Sequence, residues 1–395
     1  MKKSKGIIAI AAAMLISGSA AYAQEGVHPP APAGLDVHFG FPGIRGLNDL
    51  LVKKGIVTQE ELEAQDKKHS FNLSGYIQFQ GTVIENDNEN GADGKQLADE
   101  DGFRIRRAKL AAFGNAYEHV KFKLEMELTG TSPKLEDAWI EDDRLPYFIG
   151  KVGQFKAPFG REYLTSATET LTIERSEVTN QITPGRDIGI MFNGKVVDSN
   201  LHYYVGIFNG AERKTATSYS VGSYNGAAQN KTSNDNDNLM YVGRLVSKPV
   251  EWAEIGVNIL SSKDDETGGN SVERTSYGID FQLKNKERGC TVQGEYLMQN
   301  GEGKAIDSDG FYIQAGHFIV PKQVEGVFKY EEFNTRNDMP AAANFGEDDI
   351  RWATVGLNYF IDGHDAKVQV NYIFKGEKND SYDNNTLIAR LQLRF

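Results

Sequence analysis

From Asn72 to the last residue, apolar and polar positions alternate in segments of about ten residues, separated by stretches rich in turn formers. The clearest segment is Val120 to Thr129, where Val120, Phe122, Leu124, Met126 and Leu128 share one phase and Lys121, Lys123, Glu125 and Glu127 the other. A period of two marks a β-strand whose faces meet different surroundings. The pattern recurs at 275–284, 290–299 and 366–374. Charge at every second position would ruin the core of a β-sandwich, and propellers bury both faces of most strands. It suits a barrel wall that is apolar outside and wet inside, with strands long enough to cross a bilayer at a tilt.

Strands are predicted at 72–84, 102–113, 119–129, 135–142, 147–156, 187–197, 200–208, 238–247, 252–261, 274–284, 289–299, 309–320, 322–333, 350–361, 365–375 and 385–395. The fold class is therefore all-β, a transmembrane antiparallel barrel of about sixteen strands over 71–395. The connections supply a check, because such barrels alternate short periplasmic turns with longer outer loops. Short ones fall at 114–118, 143–146, 198–199, 248–251, 285–288, 321 and 362–364. Longer ones fall between them, at 85–101, 157–186, 209–237, 262–273, 300–308, 334–349 and 376–384, with 130–134 the one short outer connection. A wrong strand count would scramble that parity.

The two ends of the chain place the barrel. Lys2, Lys3 and Lys5 precede an apolar run from Ile7 to Ile16 and an Ala21-Tyr22-Ala23 pattern, so residues 1–23 read as a signal peptide cleaved on export. Residues 24–70 hold a proline-rich linker at His28 to Pro32 and two short helices, Leu47 to Lys54 and Thr58 to Lys67. Thr58 and Glu61 form a capping box for the second. This region reads either as a helical periplasmic segment or as a partly ordered leader. At the other end, Leu387, Ala389, Leu391, Leu393 and Phe395 share one face, and a final strand ending in Phe resembles the closing strand of bacterial outer-membrane barrels. Arg390 and Arg394, on the opposite face, are expected in the lumen near the periplasmic exit.

Composition narrows the chemistry. The chain carries a net charge of -12, and setting aside the three lysines of residues 1–23 takes it to -15, so nucleic acid is not an expected partner. Cys290 is the single cysteine, which excludes a scaffold built on intramolecular disulfides. Mean hydropathy is -0.47, a value that misleads for a barrel because alternation averages the two faces. No cofactor motif or metal-ligand spacing stands out. None of the histidines sits beside a serine in a pattern that would activate a nucleophile, so an enzyme is not expected.

The candidate chemistry is basic. Arg104, Arg106, Arg107 and Lys109 lie on one strand, and its phase breaks between 106 and 107, since Phe103 and Ile105 share one register and Ala108, Leu110 and Ala112 the other. A β-bulge there would let adjacent arginines both face the lumen. A basic side chain facing lipid at the midplane costs about 2–4 kcal/mol, which drives this cluster inward. Lys121 and Lys123 share the inward phase of the next strand and Asp137 that of the fourth, and Lys151 and Lys156 contribute from the fifth if Phe148, Gly150 and Val152 face lipid. The connection 157–186 is too rich in apolar residues for an exposed loop and should pack on something; Arg161 and Arg175 within it, and Arg186 at its exit, are expected to approach the same wall.

An ordered set of motifs runs through this region: Phe103-Arg-Ile-Arg-Arg-Ala-Lys-Leu110, Lys121-Phe-Lys-Leu-Glu125, Leu135-Glu-Asp-Ala-Trp-Ile-Glu141, Gly153-Gln-Phe-Lys-Ala-Pro-Phe-Gly-Arg-Glu162, Ile173-Glu-Arg-Ser176 and Pro184-Gly-Arg-Asp-Ile-Gly189. Together they resemble the phosphate-selective porin O and P family, strongly over about 70–210 and more loosely to Phe395. The resemblance implies a trimeric sixteen-stranded barrel in the outer membrane of a Gram-negative bacterium, with an inward-folded third outer loop and an arginine- and lysine-lined constriction for small anions such as phosphate. The constriction set is Arg104, Arg106, Arg107, Lys109, Lys121, Lys123, Asp137, Lys156, Arg161, Arg175 and Arg186. Two readings of it stay open. Rings of Arg and Lys select anions, or the same charges pair with Glu125, Glu127, Glu136, Asp137, Glu162 and Glu174 and merely fix the loop. The second reading leaves a non-selective diffusion porin, or a plugged structural or adhesion barrel, as the function.

Overall fold

The computed structural model describes residues 69–84, 101–130, 132–145, 147–196, 199–210, 239–265, 271–301, 307–335, 349–377 and 385–395. The expected signal peptide, linker and helical segment before residue 69 lie outside these residues, as do most of the longer outer connections. The strands are β1 (Asn72–Ile84), β2 (Gly102–Tyr117), β3 (Val120–Glu127), β4 (Lys134–Asp142), β5 (Ile149–Lys156), β6 (Arg186–Lys195), β7 (Leu201–Phe208), β8 (Met240–Val250), β9 (Ala253–Asp265), β10 (Ser271–Asn285), β11 (Cys290–Gly301), β12 (Ser308–Val320), β13 (Val324–Thr335), β14 (Ile350–Asp362), β15 (Ala366–Glu377) and β16 (Thr386–Arg394). Each pairs antiparallel with its sequence neighbour, and β1 pairs with β16 to close the sheet into a sixteen-stranded barrel. Closure leaves no unpaired sheet edge.

Faces follow the alternation. Ile77, Ile105, Leu124, Val152, Ile190, Val205, Val257, Ile279, Leu357 and Leu391 are exposed on the outside, while Gln78, Gln80, Asp280, Gln293, Asn358, Gln369 and Gln392 are buried within. That inversion of a soluble protein's pattern needs an apolar surrounding. At the seam the final residue completes the ladder: Gly75 N donates to Phe395 O at 2.8 Å and Phe395 N to Gly75 O at 2.9 Å. A Cβ on Gly75 would lie 2.8 Å from the Phe395 ring, so glycine makes room for the terminal aromatic.

Several boundaries differ from the sequence reading. β2 runs on to Tyr117, so its turn to β3 is only Glu118 and His119, where the alternation alone had placed the strand end at 113. β6 begins at Arg186, one residue earlier than expected, because Arg186 still pairs with Lys156 across the ladder.

The connection from β5 to β6, residues 157–185, turns into the barrel. Its neck is pinned where Ala157 N donates to Gly185 O at 3.0 Å. Gly160 then takes φ +79, and a Cβ there would meet Thr183 at 2.7 Å and Glu295 at 3.1 Å; only glycine allows the chain to turn this close to the far wall. Two short helices follow, α1 (Arg161–Leu164) and α2 (Glu177–Ile182), the second capped by Ser176, whose side chain accepts from Thr179 N. Phe159, Val178 and Ile182 bury against Phe208, Met240, Leu260, Leu297, Tyr312 and Phe333 from the strands, forming a small hydrophobic core inside the barrel. The segment is thereby fixed to one side of the lumen.

Candidate functional site

Two bulges build the site. On β2, Gln78 stands opposite Arg107 and Phe79 opposite Ile105, which leaves Arg106 as the extra residue. On β4, Glu125 stands opposite Asp137 and Met126 opposite Leu135, which leaves Glu136 as the extra residue. Each bulge turns two consecutive charged side chains to the lumen, which regular alternation forbids. The second was also visible in sequence, because Leu135 and Ala138 cannot share a face without a phase break.

Most of the charges so gathered are paired. Lys109 Nζ lies 2.9 Å from Glu136 and 3.4 Å from Glu125, and Lys123 Nζ lies 2.7 Å from Glu125 and 2.8 Å from Asp137. Arg186 donates to Asp137 at 2.6 Å and to Glu125 at 3.3 Å, and also reaches Glu136. From the inward connection, Glu174 accepts a two-pronged contact from Arg106, at 3.0 and 3.2 Å, and another at 2.7 Å from Arg390. Burial alone would raise the Glu174 carboxyl, but Arg390 and Arg106 outweigh it and hold the group down at about 2.

Arg107, Lys156 and Arg175 are held by neutral acceptors and by no carboxylate among the described residues. Arg107 donates to the Gln78 side chain at 3.0 Å. Lys156 Nζ donates to the carbonyls of Tyr163, Leu164 and Thr165 at 2.7, 3.2 and 3.2 Å. Arg175 donates to the carbonyls of Glu162 and Thr165 at 3.0 and 2.9 Å. All three border one cavity of about 540 Å³ between β1–β6 and the inward connection. Eight basic side chains line it, Arg106, Arg107, Lys109, Lys123, Lys134, Lys156, Arg175 and Arg186, against four carboxylates, Glu125, Glu127, Glu136 and Asp137. A second cavity of about 600 Å³ continues toward the short-turn end of β4–β9, and Lys123, Asp137, Lys156 and Leu164 border both.

The structure does not bring every expected residue here. Arg161 is carried to the opposite wall, where it donates to Asp280 at 2.9 Å and pairs with Glu254. The chain crosses the lumen directly after Gly160, so residue 161 meets β9 and β10 while residue 175, on the returning limb, meets the basic wall. Lys121 stays near the short turn, 2.6 Å from Asp143 and half-exposed. Arg104 is exposed on β2 opposite Gln80 and does not line the cavity. Lys151 sits with Glu141 at 2.7 Å beside the second cavity. Arg390, expected in the lumen, is covered by the connection, donating to Ile173 O at 2.6 Å; Arg394 pairs with Asp365. Residues not anticipated are Lys134, Tyr76, Tyr163 and, on β8, Arg244.

A closed sixteen-stranded barrel, apolar outside and narrowed by an inward connection, defines a channel protein of the outer-membrane type. The chain belongs to the phosphate-selective porin O and P family, whose model matches residues 77–395. An Aquifex aeolicus (strain VF5) protein described as uncharacterized is 25% identical over 413 residues, covering 87% of this chain and 92% of that one. Among solved structures, the outer membrane channel DcaP of Acinetobacter baumannii superposes with a TM-score of 0.58 at 14% identity, over 83% of this chain and 98% of that one. The anion-selective porin from Comamonas acidovorans gives 0.56 at 10% identity, over 83% and 99%. The trimer form of OmpT from Vibrio cholerae gives 0.56 at 8% identity, over 83% and 100%. These likenesses are of fold. Family and fold together make the protein an outer-membrane channel.

Proposed function

We propose that this channel favours anions and binds small oxyanions, phosphate among them, in the cavity between β2–β6 and the inward connection. The observation that carries the reading is the imbalance there: eight basic side chains face four carboxylates, and Arg107, Lys156 and Arg175 are held only by neutral acceptors. In a chain whose overall charge is -12, such an excess is local. Guanidinium groups offer phosphate a matched pair of donors, and a basic lining raises the local concentration of anions. The neighbouring carboxylates, Asp137 above all, compete for Lys123 and Arg186 and keep binding weak enough for release, which conduction requires. The trimer form of the Vibrio cholerae neighbour supports a homotrimer for this chain too.

A non-selective pore is the competing reading, favoured by the pairing of Lys109, Lys123 and Arg186 with acids. Planar-bilayer recording separates the two. In a potassium chloride gradient the zero-current potential should report anion preference, and added phosphate should reduce chloride current. Arg107→Ala and Arg175→Ala should each weaken both effects without preventing assembly. Unchanged preference in both variants would place the filter elsewhere.

A further inference from the structure

The second cavity differs from the first in what it offers. Its wall carries Trp139, Met191, Tyr204 and Val246, with Lys123 and Lys156 at the junction with the first cavity. Met191 belongs to the hydrophobic core inside the barrel, and Trp139 and Tyr204 are among the partly buried side chains packed against that core. An aromatic and aliphatic edge therefore reaches the aqueous path. Trp139 is held in one orientation, for Lys151 Nζ lies 4.0 Å from its ring centroid and is itself tied to Glu141 at 2.7 Å.

A hydrated chloride or phosphate gains nothing from an apolar wall. An anion with a flat apolar body does, because its ring leaves water on that surface while its charged end stays with the lysines. We propose that the channel takes aromatic carboxylates, with the ring on Trp139 and Tyr204 and the carboxylate at Lys123 and Lys156. Lys156 borders both cavities, and its ammonium is held by three backbone carbonyls and by no carboxylate among the described residues, so it acts on the head through its charge and not through a further hydrogen bond. A cavity of about 600 Å³ admits a single-ring acid together with water. This inference rests on the anion reading above, since a cation-preferring pore would exclude the head group.

The test uses the full-length protein in planar bilayers, with benzoate, acetate and inorganic phosphate titrated into potassium chloride. The zero-current potential in a salt gradient is read first. Absence of anion preference there overturns the proposed function and this inference with it. With anion preference present, benzoate should reduce chloride current at a midpoint about tenfold lower than acetate, which has the same head and no ring. Trp139→Ala and, separately, Tyr204→Ala should raise the benzoate midpoint about tenfold and leave the phosphate midpoint unchanged. Equal midpoints for benzoate and acetate in the wild type overturn the inference while sparing the anion reading. A variant that shifts benzoate and phosphate together does the same. The wild-type comparison decides the matter if either variant fails to assemble.

Discussion

The two sides of the lumen carry the same kinds of charged residue and treat them differently. Along β8–β16 the inward connection covers the wall and many of the cations there are paired: Arg161 of the connection and Arg244 of β8 both reach Asp280, Lys329 meets Glu331 at 3.1 Å, and Arg390 meets Glu174 at 2.7 Å, while Lys367 is buried without a hydrogen-bond partner among the described residues. Along β2–β6 the charges border open space, and Arg107, Lys156 and, from the connection, Arg175 have no acid partner among the described residues. The covered side has spent much of its charge on holding a loop. The open side keeps an excess of positive charge that a passing ion can meet. Counting basic residues along the chain would rate the sides alike, and the accounting of partners separates them.

The largest expected effect breaks the covered side. Arg161 is the first cation the connection plants on the far wall, nearly buried between Asp280 and Glu254. Removing one partner of a buried pair costs about 3–5 kcal/mol when it strands the other charge; here Asp280 keeps Arg244 and Glu254 keeps Lys248, so the loss falls below that range. Arg161→Ala should therefore lower the thermal unfolding midpoint in detergent and, by loosening the connection, raise single-channel conductance. Wild-type conductance in a folded variant would mean that the neck and the small core hold the segment without this ion pair.

The contrast was partly legible in the sequence. Alternation in segments such as Val120 to Thr129 fixes strand number and the outward face, because lipid tolerates few errors of phase. The bulge at Arg106 could be read from the switch in phase between Ile105 and Ala108. Strand ends were less legible; β2 continues through Ala111 to Tyr117 in small residues and aromatics that alternate weakly. The fate of Arg161 was not legible at all. It depends on how soon the chain crosses the lumen, and that is set by the positive φ of Gly160 against Glu295, a residue 135 positions further on. β8 carries apolar residues on both faces, with Met240, Val242 and Val246 inward beside Arg244 and Tyr241 and Leu245 outward. An inward apolar face in a wet barrel signals that something packs there.

A smaller effect sharpens the open side. Asp137 draws on Lys123 at 2.8 Å and on Arg186 at 2.6 Å, so it neutralises part of the basic lining at the junction of the two cavities. Asp137→Asn keeps the shape and removes the charge. Phosphate should then reduce chloride current at a midpoint about tenfold lower, a change of about 1.4 kcal/mol. Slower release should lower the chloride conductance at the same time. A midpoint unmoved by this substitution would show that anions do not dwell beside Asp137.

The smallest expected effect marks where the site ends. Lys121 shares the inward phase of β3 with Lys123, yet it stands beside the short turn with a side chain 43% exposed and its ammonium 2.6 Å from Asp143. A wet ion pair of this kind contributes about 0–1 kcal/mol and is screened by salt. Lys121→Ala should leave anion preference and the phosphate midpoint unchanged, while Arg107→Ala, which removes the same formal charge some way up the neighbouring strand, should move both. The two variants together ask whether selectivity follows the total charge of the lumen or the particular cations that lack acids. Equal losses from both would favour total charge, and the contrast between the covered and open sides would then be one of packing alone.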